Sequence, residues 1–380
     1  MPPAVRRLGH QNHGLSVSVS RRAVLSGAVA LGGCGRKKGT GFRGHAIVAL
    51  EESRAVAFVD LTAFAVRARV ELKAAPSLVV DNPNLGSVYA LLPSPPGLEE
   101  IDIQRHTVSR HVALKRAPLD MRVGRETWVL CSDSVVALDT GSFTAGRAIP
   151  LPATARSFDV SPMEPRAAVT LADGSLVMVD LATGAVTSRR KLSDDLGAVR
   201  FRNDGRYVLV ADRGRRELTA LDAATEATVV QLPLALRPDN LCMKPDGGQV
   251  FITGEGRDAI VIAYPYRTEI AQTSLSGRAP GAMAACESPD FLFVANPESG
   301  SVTIFAIDTQ RVVAVTAVGS DPRQIVITPD HQYALVFNRG SGDMAVIRIP
   351  AIQAGRAKSA ALFTMVPVGA RPVSAVVRAG

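Results

Sequence analysis

The 380-residue chain is poor in aromatic side chains, which make up 5% of it and include one tryptophan, Trp128. Its core must therefore be built mainly from aliphatic residues. Cysteine is scarce as well, with Cys131, Cys242 and Cys286 as the only thiols after Cys34. An odd count with no C-x-x-C pair excludes a disulfide framework. Cys242 and Cys286 each stand three residues before a Pro-Asp step, which leaves two readings open: a pair across neighbouring units, or two small buried apolar residues. Histidine numbers six, with no H-x-x-x-H pattern, Ser-His-Asp arrangement or glycine-rich phosphate loop. No run of 18 apolar residues exists, which excludes a membrane-spanning helix. A formal charge of +8 suggests a polyanion partner, but residues 1–44 carry eight basic side chains and no acid. Without them, 35 basic residues face 35 acidic ones, so the body is neutral and nucleic acid is not an expected partner. With 47% apolar and 21% charged residues the chain has ample material for a folded core.

What the N-terminus does contain reads as a targeting segment. An apolar run from Ala23 to Gly33 rises only ~16 Å as a helix, too short for a ~30 Å hydrocarbon core, so it is a signal core and not a span. Arg21-Arg22 before that run resembles a twin-arginine export signal, with Val24 where the motif prefers Phe. Leu31-Gly32-Gly33-Cys34 resembles a lipobox, which implies diacylation of Cys34 after cleavage. Two acyl chains give stable anchoring, and Arg36, Lys37, Lys38 and Arg43 would form a basic tether near anionic headgroups. The expected organisation is an export signal over 1–33, a lipidated tether over 34–44 and one domain over 45–380, held at a membrane in the periplasm or on the cell surface.

That domain repeats. Units start near His45, Ser87, Thr127, Arg166, Tyr207, Gln249, Phe291 and Tyr333, at spacings of 39 to 42 residues. Each has short β-rich runs such as Tyr207–Asp212, bounded by turn residues. An Asp closes the second run in six units, at Asp60, Asp102, Asp139, Asp180, Asp222 and Asp308. An Asp in such a place bonds its own backbone two residues on, a structural role. A Pro precedes the fourth run at Pro76, Pro118, Pro238, Pro280, Pro322 and Pro372. Four strands per ~40 residues around an axis make an all-β propeller, of eight blades by this count. Seven is the alternative if the irregular second and third units merge. The first unit lacks its innermost strand, and the segment from Pro372 is the spare that would close the ring.

The segment Val294–Asp330, with Ala-Asn, Ser-Gly, Ile-Asp-Thr, Val-Gly-x-x-Pro and Thr-Pro-Asp in order, resembles the YVTN family of β-propeller repeats. His331 replaces the final Gly of that pattern. The resemblance covers about 335 residues and implies a periplasmic or surface propeller, without fixing an activity. Propellers of nitrite reductases, which are similar to this repeat family, depend on channel histidines, and quinone propellers repeat a Trp per blade. Neither pattern is met here, so no cofactor is expected and Trp128 is assigned to the core.

The loops into the innermost strands carry Arg116, Arg156, Arg237, Arg278, Arg323 and Arg371, a candidate anion-binding rim. The same mouth is expected to hold Glu51, Asp212, Glu255, Asp258, Asn296, Glu298 and Asn338, with Asp120, Asp239, Asn240 and Gln324 at strand entrances. Asp212 and Glu255 are the candidate ligands for a divalent ion such as Ca2+, the site of a lactonase-like hydrolase. The leading expectation is an anchored scaffold that binds a small anionic ligand or an envelope protein, without catalysis of its own.

Overall fold

The computed structural model describes residues 41–352 and 361–380. Residues 39–380 form one compact unit. Eight four-stranded antiparallel sheets are arranged in a ring, one per repeat. The irregular second and third units are separate blades, so the merged, seven-bladed alternative falls. The second strands of the blades begin at Gly44, Ser87, Thr127, Arg166, Tyr207, Val250, Asp290 and Tyr333, each within one residue of the start expected from the repeat.

The innermost strands are Leu78–Asn82, Pro118–Val123, Ala155–Val160, Leu196–Phe201, Arg237–Met243, Met283–Glu287, Pro322–Ile327 and Pro372–Ala379. Each touches the innermost strand of the next blade, so together they enclose a channel. Closure is made by Pro372–Ala379, which pairs antiparallel with Gly44–Leu50 and puts Ala375 opposite Val48. The strand is also bonded sideways to both neighbouring blades. Gln324 receives a bond from the Ala375 amide at 2.6 Å, and Arg378 meets Asp81 at 2.9 Å. A propeller closed in this way leaves no innermost strand without a partner.

Packing follows from the strand pattern. Middle strands such as Ser175–Asp180 are buried along nearly their whole length, while outer strands such as Ala185–Lys191 are largely exposed. Hydrophobic clusters span adjacent blades. One joins Trp128 and Val135 to Phe158 and Val169, which places Trp128 in the core as expected.

At the outer turns the expected aspartates hold their own backbone. Asp60, Asp102, Asp139, Asp180 and Asp222 accept amide bonds from the residue two positions on at 2.8–3.0 Å. Asp308 does not close its strand as expected, because that strand ends at Ala306; it lies within the turn and accepts from the next residue, Thr309, at 2.7 Å. Burial pushes the Asp60 carboxyl up, but bonds from Thr62, Arg67 and Ala63 outweigh it and bring it down to about 2. The fifth position of this turn is left-handed in blade after blade, at φ 49° for Phe64, 53° for His106, 55° for Phe143 and 61° for Glu226.

Candidate functional site

All six rim arginines reach the mouth where the innermost strands begin, and each is met there by a carboxylate. Arg116 pairs with Asp133 at 2.6 Å, Arg278 with Glu298 at 3.1 Å, Arg323 with Asp321 at 2.6 Å and Arg371 with Glu51 at 3.3 Å. Arg156 and Arg237 converge on Asp195 at 2.6 and 2.9 Å. Arg213, an arginine the motif reading missed, joins them at 2.9 Å and also contacts Asp239 and Glu255. Burial would raise the Asp195 carboxyl, but the Arg213 bond and the three positive charges hold it below its ordinary value. The rim is thus a ring of ion pairs and not an unbalanced positive field. The spacing of these pairs was the available signal: Arg156, Arg213 and Arg237 each find a partner 39 or 42 residues away, one repeat length.

Several acids and amides expected at the mouth are instead sealed beneath its turns. Asp212, Asn296 and Asn338 end the second strands of three blades and are all fully buried. Asn296 receives bonds from Ser276 at 2.9 Å and the Gly277 amide at 3.1 Å, and donates to Thr303 at 2.9 Å. Asp212 accepts from the Arg215 amide at 2.9 Å, while its second oxygen and the Thr219 hydroxyl have no hydrogen-bond partner among the described residues. Glu255 lies on the rim, 3.2 Å from Arg213 and 3.6 Å from Arg237. Asp212 and Glu255 are therefore engaged in different surroundings. Among the described residues no group of three or more His, Cys, Asp or Glu is placed to hold a metal ion.

Inside the channel the walls differ. Met121, Phe158 and Val199 are buried between blades, and the next residue on each of these channel-lining strands, Arg122, Asp159 and Arg200, is only partly buried. Arg122 bonds Asp120 at 2.8 Å and Asp159 at 3.1 Å, and Asp159 also accepts the Phe201 amide at 2.8 Å. Burial lowers the Arg122 guanidinium, but the two aspartates more than restore it. Arg200 donates to its own strand at the Val199 carbonyl, 2.7 Å away, and has no ion pair among the described residues. Burial and the neighbouring Arg122 charge both push it below the ordinary arginine value. At the same register across the ring, Val80, Val326 and Val376 are partly buried apolar residues packed against the inter-blade cores. His45, His106, His111 and His331 all lie off the innermost strands.

Cys131, Cys242 and Cys286 are free thiols; Cys131 and Cys286 are buried and Cys242 is partly buried. Burial pushes Cys131 and Cys242 up to about 11. On the opposite face, two cavities of about 650 and 630 Å³ flank the short turn after Val123, and both are lined by Trp128, Arg125 and Glu126. Cys34, Arg21 and Arg22 lie outside the described residues. Among the described residues no helix is long and apolar enough to cross a membrane.

No protein-family model and no curated protein matches the chain. Solved structures do. Dihydro-heme d1 dehydrogenase NirN, in complex with DHE, superposes with a TM-score of 0.71 at 16% identity, over 88% of this chain and 75% of that one. Apo AztD from Citrobacter koseri gives 0.68 at 13% identity, over 88% and 98%. A putative 6-phosphogluconolactonase from Bacteroides fragilis NCTC 9343 gives 0.59 at 15%, over 88% and 98%. At these identities the likeness is one of fold: this chain is a β-propeller similar to proteins of varied roles.

Proposed function

We propose that this protein is an exported, lipid-anchored propeller that binds an anionic ligand or an envelope partner at its arginine-lined mouth and performs no chemistry of its own. The observation that carries this reading is the exposure of the ion pairs. The six arginine side chains remain 37% to 71% accessible. Exposed pairs are worth only about 0–1 kcal/mol each. A ligand with several carboxylates or phosphates can displace the protein's own acids from guanidiniums that are already gathered on one rim, gaining several charge-assisted bonds at once. Export and anchoring rest on Arg21-Arg22 and on the lipobox ending at Cys34. A Cys34→Ser variant should lose incorporation of labelled fatty acid and leave the membrane fraction, and unchanged partitioning would refute the anchor.

The test of binding is a thermal-shift scan of the full chain against small anions, porphyrins, lactones and Ca2+ with and without chelator. An anion-specific rise that disappears in Arg237→Ala/Arg278→Ala supports the rim. The second reading is a metal-dependent, lactonase-like hydrolase, and the orphaned Asp212 oxygen is the observation in its favour. It requires a Ca2+-specific rise together with lactone hydrolysis, both lost in Asp212→Asn.

A further inference from the structure

The channel holds a guanidinium that the rim reading does not use. Arg200 stands in a half-buried stretch of the innermost strand of its blade, between the core residues Val199 and Phe201. A guanidinium carries five N–H donors in a fixed fork that suits a carboxylate. One donor of Arg200 is committed, to the Val199 carbonyl at 2.7 Å. The nearby carboxylates bond other groups and form no ion pair with Arg200. Asp120 is held by Arg122 and the Met121 amide, and Asp159 by Arg122 and the Phe201 amide. Arg200 thus stands on a channel-lining strand with a second cation beside it and open donors, while the same register across the ring carries the partly buried Val80, Val326 and Val376.

We propose that the channel binds a monocarboxylate with an apolar body, its carboxyl group bidentate on Arg200 and its chain against these valines. One guanidinium matches one carboxylate, and the valines select against small hydrophilic anions that the outer rim would accept. The site is independent of the rim and stands whether or not the rim binds a ligand.

The experiment is calorimetric titration of the full chain with octanoate, with acetate and 1-octanol as probes of each half of the recognition. Octanoate is expected to bind once per chain, with acetate and 1-octanol each weaker by about tenfold or more, the effect of losing the apolar or the charged contact. Arg200→Gln should weaken octanoate by about tenfold or more while 1-octanol, which makes only the apolar contact, is little changed. Arg200→Lys, which keeps the charge but loses the fork, should also weaken octanoate, and it serves if the Gln variant fails to fold. Arg237→Ala/Arg278→Ala should bind octanoate as the wild type does, which separates this site from the rim. No binding of octanoate by the wild type, equal affinity for acetate, or undiminished binding by a folded Arg200 variant would each overturn the proposal.

Discussion

The rim and the channel use arginine in opposite ways. At the rim every candidate arginine is balanced by an acid and stays open to water, as in the Arg278–Glu298 pair with side chains 71% and 58% exposed. On the channel strands, Arg122 and Arg200 are more enclosed and unequal: Arg122 takes both Asp120 and Asp159, and Arg200 has neither. The same residue type thus gives a screened, exchangeable surface in one place and a fixed charge in a low-dielectric wall in the other. Counting arginines at repeat positions finds the first and overlooks the second.

That contrast can be tested by substitution. Arg122→Ala should have the largest effect, a loss of about 3 kcal/mol, because it leaves Asp120 and Asp159 unpaired in the channel. Urea denaturation measures it, and a loss below that of any rim variant would break the comparison. Asp60→Ala should cost about 2 kcal/mol by removing charge-assisted bonds within one turn. Its depressed carboxyl gives that effect a pH signature. The contribution is fully present above the unfolded value of ~3.9, and it is lost as pH falls toward about 2. Wild type and variant should therefore converge in stability across that interval and differ by a constant amount at pH 6.

Arg213→Ala should cost about 1.5 kcal/mol, between channel and rim, since its side chain is 13% exposed and serves three carboxylates, of which Asp195 and Glu255 keep other arginines. Arg278→Ala, at the other extreme, should cost less than ~0.5 kcal/mol and nothing measurable in 1 M salt, where the screening length is ~3 Å. A salt-insensitive loss there would show that rim pairs are structural fixtures.

Much of the fold was legible because each blade repeats local chemistry. The strand starts, the turn aspartates from Asp60 to Asp222 and the closing role of the segment from Pro372 all follow from turn propensity and strand alternation, which act within a few residues. The site was less legible because its contacts run between blades. Arg156 and Asp195 are 39 residues apart, so their pairing shows only when successive repeats are laid side by side. Asp212, Asn296 and Asn338 were misplaced because an Asn or Asp beside a turn reads the same whether it points outward or plugs the turn from below. Arg122, Asp159 and Arg200 left a usable signal: each lies between apolar residues at one register in three consecutive inner strands.

The most direct test of the binding function is the melting temperature of the full chain in citrate, a small anion with several carboxylates. At ~100 times its dissociation constant a ligand stabilises by ~2.7 kcal/mol. The account predicts a rise in the wild type that is absent from Arg237→Ala/Arg278→Ala. A rise of equal size in both proteins, or none in either, would contradict it.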